Sequence, residues 1–310
     1  MCCLFGFYNY SGQSIEKLSV LTNSLAEQAV VRGSDASGIA YNSKGRLIIH
    51  KEAKSADKMT FRHPDNIITI TGHTRHATQG SSKKNYNNHP FYGKCENLKF
   101  ALAHNGVLLN DAELQRKYNL PKTRTETDSF VAVQLLEREK KLNIKSIKDM
   151  AEKVRGSFTF TILDSSDTLW LIRGDSPLSL IHFPAYKLYV YASTDEILYK
   201  ALVDTKLFDE VKKGNFEEIE INSGDILAIN KNGKFSKDEF RYENYSCYGN
   251  CNWWNYGFLH SNKKEKSYID DLKSVAVYYG YSPENIDELL SNGFSPEEVE
   301  EYIYYGEVCH

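Results

Sequence analysis

Apolar positions recur with two different periods near the start of the chain, and each period predicts a different element. From Leu18 to Leu25 the leucines recur at helical spacing, so residues 15–31 are predicted to form an amphipathic helix. The apolar runs at 38–42 and 46–50 are β-prone and are separated by a Ser-Lys-Gly turn sequence. Such a pair of runs is typical of a β-hairpin.

The central part of the chain returns briefly to a helical period and then changes to strands. Residues 126–141 carry apolar side chains on one helical stripe, and residues 146–154 are predicted to form a further helix. From 157 to 230 short apolar runs alternate with turn residues, with one helix predicted near 195–203. Mixed elements followed by many strands predict an α+β domain in which helices cover two sheets.

A change of composition predicts a second unit in the last part of the chain. Residues 241–265 are rich in Asn, Tyr and Gly and have no period, so we interpret them as a linker. Residues 266–310 are predicted to form a small helical module, because Ser282 and Ser295 each begin a Ser-Pro-Glu sequence typical of a helix start. The first domain is therefore expected to span residues 2–240.

Composition and charge exclude several classes of protein. The formal net charge of -3 at pH 7 argues against a broad basic surface for nucleic acid. No stretch approaches the ~20 apolar residues that cross a membrane as a helix, and the first residues lack the basic region of a secretion signal. The six cysteines are scattered, as in a reducing compartment rather than a disulfide scaffold. We therefore expect a cytoplasmic protein with no nucleic-acid or membrane partner.

Cys2 is the first candidate for chemistry because it directly follows the initiator methionine. Met1 is expected to be removed, since the next side chain is small, and Cys2 would then carry a free α-amine. Such an amine has a pKa of ~7.7–8.0, so it can accept the thiol proton of the same residue and activate the nucleophile. These two residues alone do not distinguish this arrangement from any other Met-Cys start.

A series of short motifs follows along the chain. They are MCCLFG at 1–6, RGSDASGIAY at 32–41, GHTRHATQG at 72–80, NHP at 88–90, AHNGVLLN at 103–110, TETDSF at 125–130, RGDSPLSL at 173–180 and YASTDEIL at 191–198. Their residues, order and approximate spacing resemble those of the class II glutamine amidotransferases. The similarity covers about residues 2–235 and points to the glutaminase domains of glucosamine-6-phosphate synthase and amidophosphoribosyltransferase.

The resemblance implies both a fold and an activity. The fold would be the four-layer αββα sandwich of the N-terminal nucleophile hydrolases, here with a small C-terminal helical appendage. The activity would be hydrolysis of L-glutamine to glutamate and ammonia through a γ-glutamyl thioester on Cys2, with no metal and no organic cofactor. About 70 residues follow residue 240, too few for a synthase domain, so the ammonia is expected to pass to a separate acceptor protein.

The resemblance also assigns residues to the steps of this reaction. Arg75 would pair with the α-carboxylate of glutamine, because a guanidinium matches a carboxylate in a bidentate fork. Asp128 would bind the α-ammonium. The side-chain amide of Asn105 and the backbone N–H of Gly106 would form the oxyanion hole. Cys2 would be the nucleophile.

Two more residues take supporting roles in the resemblance, and three positions depart from it. Thr78 would line the glutamine pocket, and Arg32 would support the N-terminal residue. Cys3 stands where the family usually has glycine, His76 where it has tryptophan, and Gln79 where it often has histidine. A side chain at Cys3 could crowd the nucleophile, alter the turn or act as a competing thiol. The changes at His76 and Gln79 are expected to affect coupling to an acceptor more than hydrolysis of glutamine.

Other reactive side chains are expected to be structural. His73, His89 and His104 lie within the motifs, but the implied mechanism needs no catalytic histidine. Cys247 and Cys251 could begin a zinc site, yet their spacing matches no standard module. We therefore interpret both cysteines as ordinary thiols.

Two other functions remain open at this point. The chain could be an N-terminal-nucleophile amidohydrolase that acts on another γ-glutamyl or amide substrate. It could also be a catalytically silent binding or scaffold protein. Arg75 together with Asp128 favours an α-amino-acid head group and therefore glutamine, and the complete set of site residues disfavours a silent protein.

Overall fold

The computed structural model describes residues 2–12, 18–96, 98–203, 205–242 and 281–305, together with residues 269, 272, 273, 276 and 277. Most of the predicted linker, including Cys247 and Cys251, lies outside these residues. Within the ranges given, no helix combines the length and the apolar character needed to span a bilayer.

The strands form two antiparallel sheets. In chain order they are β1 (Cys3–Asn9), β2 (Ala36–Ser43), β3 (Arg46–Glu52), β4 (Thr69–Arg75), β5 (Phe91–Cys95), β6 (Leu98–Leu108), β7 (Gly156–Asp164), β8 (Leu169–Arg173), β9 (Ser179–Phe183), β10 (Leu188–Ala192), β11 (Glu217–Ile219), β12 (Asp225–Ile229) and β13 (Phe235–Glu239). In the described part of the chain the first sheet has seven strands in the order β11-β9-β10-β1-β4-β2-β3. The second has six described strands in the order β13-β12-β8-β7-β6-β5.

Six helices lie in the described part of the first domain, and two follow it. They are α1 (Leu18–Gln28), α2 (Asp111–Lys117), α3 (Phe130–Arg138), α4 (Ile144–Lys153), α5 (Asp195–Leu202) and α6 (Leu207–Lys213), then α7 (Pro283–Ser291) and α8 (Pro296–Tyr305). α1 and α5 share a core with the first sheet, and α3 and α4 share one with the second. The layers are therefore helix, sheet, sheet and helix, which confirms the α+β sandwich predicted from the sequence.

Side chains of β1 contribute to two different cores. Phe5 and Phe7 belong to the core beneath α1 and α5, whereas Leu4 and Tyr8 belong to the core between the sheets. This division follows from the alternation of side chains along a strand. Cys3 lies on the helix side with Phe5. Full burial of each large apolar side chain stabilises the fold by about 1.5–3 kcal/mol.

The turn sequence predicted the hairpin of β2 and β3 correctly, whereas the predicted start of α3 was wrong. Ser43 pairs with Arg46 across a loop of Lys44 and Gly45, whose φ angles are 49° and 69°. Positive φ at both positions matches the twist of the flanking strands. The helix predicted from residue 126 begins only at Phe130, because preceding residues are held by contacts to other segments. One such contact joins the Glu126 backbone N–H to Asn87 at 2.9 Å.

The C-terminal helices have the predicted start signals. The Ser282 side chain accepts a hydrogen bond from the backbone N–H of Asn285, and Oδ1 of Asn285 accepts one from the backbone N–H of Ser282. Ile286 of α7 packs with Val299 and Ile303 of α8 in a small core. The boundary between this module and the first domain falls outside the described residues and stays a prediction.

Candidate active site

Cys2 lies at the start of β1, where two other segments contact it. Its thiol is 3.5 Å from the carbonyl oxygen of His76, and its own carbonyl oxygen accepts a hydrogen bond of 3.1 Å from Nε of Arg32. Burial raises the pKa of the Cys2 thiol above its ordinary value, whereas the positive charge of Arg75 lowers it. The thiolate is the reactive form, so Arg75 acts in the direction that a nucleophile requires.

Ser193 holds the strand that follows Cys2. The backbone N–H of Leu4 donates to Ser193 Oγ at 2.9 Å, and the backbone N–H of Ser193 donates to the Leu4 carbonyl oxygen at 2.9 Å. Nδ2 of Asn105 also donates to Ser193 Oγ, at 3.4 Å. One serine therefore connects β1 with the candidate oxyanion hole on β6. Ser193 lies in the YASTDEIL motif but was not among the site residues predicted from the sequence.

Asn105 and Gly106 lie near the end of β6, and Asn105 is fully buried. Oδ1 of Asn105 has no hydrogen-bond partner among the described residues. The φ angle of Gly106 is 135°, and a Cβ there would lie 2.1 Å from the carbonyl oxygen of Ser157. Only glycine fits this position, so no side chain can cover the backbone N–H that the oxyanion hole requires.

Arg75 ends β4 and is almost fully buried. Nη1 donates to Oδ1 of Asn88 at 2.8 Å, and Nη2 donates to the carbonyl oxygens of Gln79 at 2.6 Å and Gly80 at 2.8 Å. These contacts fold the segment 76–80 back over the end of the strand. They use three of the five guanidinium donors, which leaves two for a ligand within the described site.

Asp128 precedes α3 and is buried. Its Oδ2 accepts the backbone N–H of Leu108 at 2.6 Å, and its Oδ1 accepts the hydroxyl of Ser129 at 3.4 Å. Burial raises the pKa of this carboxyl to about 6, although both hydrogen bonds act in the opposite direction. The Asp128 charge acts on both Cys2 and Arg75. The fold therefore brings these three residues, which come from separate segments, into one site.

The segment 76–80, which contains Thr78, is attached at a second point by Asp35. Oδ2 of Asp35 accepts the backbone N–H of Ala77 at 2.7 Å, and the backbone N–H of Asp35 donates to the Arg75 carbonyl oxygen at 2.9 Å. Thr78 is partly buried, and its side chain makes no hydrogen bond to any described residue. Its role in lining the glutamine pocket therefore stays a prediction.

Lys51 on β3 is a residue of the site that the sequence analysis missed. Its ammonium donates to the carbonyl oxygens of Asn88 and, at 3.0 Å, of Pro90. Asn88 also accepts a hydrogen bond from Arg75 through its side chain. Lys51 therefore holds a residue that in turn positions Arg75. Burial lowers the pKa of Lys51 to about 8, and the charge of Arg75 acts in the same direction. A lysine in a strand usually faces water, so no local sequence pattern indicates this role.

The departures from the family motifs lie at different distances from this site. Cys3 is fully buried on the helix side of β1, where its thiol lies 3.3 Å from the carbonyl oxygen of Leu4. Burial raises the pKa of the Cys3 thiol, as it does for Cys2, but Cys3 is fully buried whereas Cys2 is partly exposed. His76 and Gln79 both lie on the segment that borders the site, and each contributes its carbonyl oxygen, to Cys2 and Arg75 respectively.

Known proteins of similar sequence share one kind of domain. A family model described as a glutamine amidotransferase domain matches residues 73–200. The chain is 26% identical over 241 residues to 7-cyano-7-deazaguanine synthase of Saccharolobus solfataricus, across 74% of this chain and 49% of that protein. It is 27% identical over 249 residues to glutamine–fructose-6-phosphate aminotransferase of Fusobacterium nucleatum, and the match covers 77% of this chain and 37% of that protein. It is 28% identical over 237 residues to amidophosphoribosyltransferase of Methanocaldococcus jannaschii, and the match covers 74% of this chain and 48% of that protein.

Solved structures share the fold. Glutamine phosphoribosylpyrophosphate amidotransferase from B. subtilis matches with a TM-score of 0.60 and 23% identity, over 78% of this chain and 50% of that one. The fold is thus that of the N-terminal nucleophile amidotransferases. Together with the sequence matches, it shows that the chain carries a class II glutamine amidotransferase domain. The chain spans between 37% and 49% of the length of the three curated relatives.

Proposed function

We propose that this chain hydrolyses the side-chain amide of L-glutamine at Cys2 and releases glutamate and ammonia. The observation that carries the proposal is the meeting of Cys2, Arg75 and Asp128 in one site, where the charge of Asp128 acts on both Cys2 and Arg75 and the charge of Arg75 acts on Cys2. Ser193 ties this nucleophile strand to Asn105. No pair of these residues is adjacent in sequence, so their meeting supports a site with a common purpose.

Free glutamine is a zwitterion, and the charges of the site match its head group. Arg75 has two guanidinium donors left beyond its contacts to Asn88, Gln79 and Gly80, one on Nε and one on Nη1. Because both hydrogens of Nη2 are used, we propose that Arg75 binds the α-carboxylate through its charge and a single hydrogen bond. Asp128 is the anion for the α-ammonium. An ammonium beside it would favour ionisation of the carboxyl, whose pKa burial raises to about 6 in the free protein.

The reaction then proceeds as acyl transfer. With Met1 removed, the α-amine of Cys2 accepts the thiol proton, and the thiolate attacks Cδ of glutamine. Asn105 Nδ2 and the Gly106 N–H hold the oxyanion that forms. The C–N bond breaks as the amine returns its proton to the leaving nitrogen, so ammonia and a γ-glutamyl thioester result. Water, deprotonated by the same amine, attacks the thioester, and glutamate leaves as the thiol is restored.

The ammonia is proposed to pass to an acceptor enzyme on a separate polypeptide. One relative is named glutamine–fructose-6-phosphate aminotransferase, a name that pairs glutamine with a second substrate, and this chain spans 37% of its length. Described residues of α7 and α8 form a small helical core with Leu272 and Ala276.

Ammonia release from L-glutamine by the purified chain tests the proposal, with Cys2→Ala and Cys3→Ala as a matched pair. The wild type and Cys3→Ala should release ammonia, whereas Cys2→Ala should not. Intact mass measured on the same samples establishes whether Met1 is removed. Activity that survives in Cys2→Ala would contradict the proposal. So would a wild type that lacks Met1 and releases ammonia from another γ-glutamyl amide but not from glutamine.

A further inference from the structure

Three buried histidines lie beside the site without a role in the proposed reaction. His73, His89 and His104 are 0%, 3% and 1% exposed. The rings of His73 and His89 are 4.2 Å apart, and those of His89 and His104 are 6.4 Å apart. They do not form a metal centre, because the described residues contain no group of three or more side chains arranged to hold a metal ion.

Only two of the six ring nitrogens in this cluster have a partner among the described residues. His73 Nδ1, His104 Nε2 and both nitrogens of His89 have none. His104 Nδ1 contacts the hydroxyl of Ser129 at 2.8 Å, and Ser129 contacts Asp128. His73 Nε2 contacts the carbonyl oxygen of His104 at 2.9 Å. One hydrogen bond of the cluster therefore connects it, through Ser129, to Asp128, and the other ends on the residue that precedes Asn105.

The contact between His73 and His104 fixes the protonation of His73. A carbonyl oxygen only accepts, so the hydrogen must lie on Nε2 of His73. Burial lowers the pKa of the His73 imidazole to about 3, with Arg75 acting in the same direction. The ring is therefore neutral at physiological pH, with a donor at Nε2 and a lone pair at Nδ1.

This hydrogen bond joins the two sheets at the site, in addition to the longer one of 3.4 Å from Asn105 to Ser193. His73 lies on β4, two residues before Arg75, and pairs with Leu4 on β1. His104 lies on β6, directly before Asn105. β5 pairs with β6 only as far as Leu102, so the His104 carbonyl takes its donor from a side chain of the other sheet.

Gly106 makes such a tether necessary. Its φ of 135° lies in a region open to glycine alone, and it has no side chain to pack. The backbone from His104 to Gly106 is held on one edge by its pairing with β7, where Gly106 lies opposite Phe158. The His73 donor holds the peptide that immediately precedes Asn105 from the sheet that carries Cys2.

We propose that His73 is a positioning residue, whose Nε2–H sets the position of the Asn105–Gly106 oxyanion hole relative to Cys2. The inference rests on the proposed glutaminase function. It assigns His73 no contact with substrate. Displacement of a catalytic group by about 1 Å can lower a rate about a hundredfold, so the tether matters to the chemical step. Binding of the glutamine head group by Arg75 and Asp128 does not depend on it.

The test compares His73→Gln with His73→Leu in the full chain. The glutamine amide nitrogen can reach the place of the imidazole Nε2, whereas leucine has similar bulk and no donor. We expect kcat for ammonia release to fall roughly tenfold to a hundredfold in His73→Leu, with KM within about threefold of wild type. His73→Gln should recover most of kcat. His63→Leu, which changes a partly buried histidine bonded to Thr22, is the matched control and should keep kcat.

Alkylation of Cys2 by iodoacetamide, followed by peptide mass, separates positioning from general damage. Displacement of iodide develops no oxyanion, so the alkylation rate should equal that of wild type in both His73 variants. Equal losses in the alkylation rate and in kcat would overturn the inference. So would a wild-type kcat in His73→Leu, or a kcat in His73→Gln that is no higher than in His73→Leu. An active wild type with unaffected His73 variants leaves the proposed function intact. A wild type with no glutaminase activity overturns both.

Discussion

Nε of Arg32 donates a hydrogen bond to the carbonyl oxygen of Cys2 at 3.1 Å. Arg32 closes the 3-10 turn that follows α1, and it is 5% exposed. The contact fixes the backbone of the nucleophile from the helix side, while Ser193 fixes the next residue, Leu4, from β10. The nucleophile is thus held by side chains of two distant segments before any substrate enters.

Arg32→Gln is expected to lower kcat for ammonia release by about tenfold or more, because a hydrogen bond from a charged group contributes about 1.5–3 kcal/mol. The Cys2 backbone would then be less well fixed against the oxyanion hole. Steady-state kinetics provide the measurement, with Arg62→Gln at an exposed arginine as the control. Unchanged kcat in Arg32→Gln would show that the Cys2 carbonyl contact has no part in catalysis.

Asp128→Asn should weaken glutamine binding and yet stabilise the fold. The carboxyl pKa of about 6 lies above its ordinary value of 3.8, so the protonated form is the one that the fold favours. The contribution of protonated Asp128 to the free energy of unfolding is complete below pH 3.8 and is lost as the pH rises through 6. Ionised Asp128 therefore costs up to about 3 kcal/mol at neutral pH, a cost that asparagine avoids.

Urea unfolding at two pH values and glutamine kinetics measure these two effects. Asp128→Asn should exceed wild type in free energy of unfolding at pH 7.5 and approach it near pH 4. Its KM for glutamine should rise at least tenfold, since neutral asparagine offers no charge to the α-ammonium. In wild type, kcat/KM should decline as the Cys2 α-amine is protonated below its pKa of ~7.7–8.0 and should fall more steeply below about pH 6. Exposed Asp65→Asn is the control, and an unchanged KM in Asp128→Asn would refute the assignment.

Gly106→Ala is expected to abolish most activity and to destabilise the domain. A Cβ at Gly106 would lie 2.1 Å from the Ser157 carbonyl oxygen, so the backbone must move. Loss of one oxyanion-hole donor costs about 10²–10³ in kcat. Gly45→Ala is the matched control: Gly45 also has a positive φ, but its Cβ would meet nothing within 4 Å. That variant should lose about 1–2 kcal/mol of stability and keep its kcat.

Periodicity predicted the kinds of elements well, whereas the order of strands could not be read from it. An apolar run such as that of β1 shows which residues are buried but not which strands are its neighbours. β1 lies between β10 and β4, so that Phe5 pairs with both Ala192 and Gly72. The family resemblance implied the four-layer fold, but it did not predict which strands pair with each other.

The candidate site could be predicted where a motif carries it and not where a single side chain acts at long range. Cys2, Arg75 and Asp128 each lie in a motif. Ser193 acts on Leu4, 189 positions away, and Lys51 acts on Asn88, 37 positions away. Neither residue has a local pattern that reports its partner, so only the three-dimensional structure reveals these supports.

The most direct test of the central claim is detection of the acyl group on Cys2. The wild type is mixed with L-glutamine, quenched in acid during turnover and digested, and the N-terminal peptide is measured by mass. We predict a peptide that begins at Cys2 and carries a γ-glutamyl group removable by hydroxylamine, with no such group in Cys2→Ala. Ammonia release without this adduct, or an adduct on Cys3, would contradict the claim that Cys2 is the nucleophile.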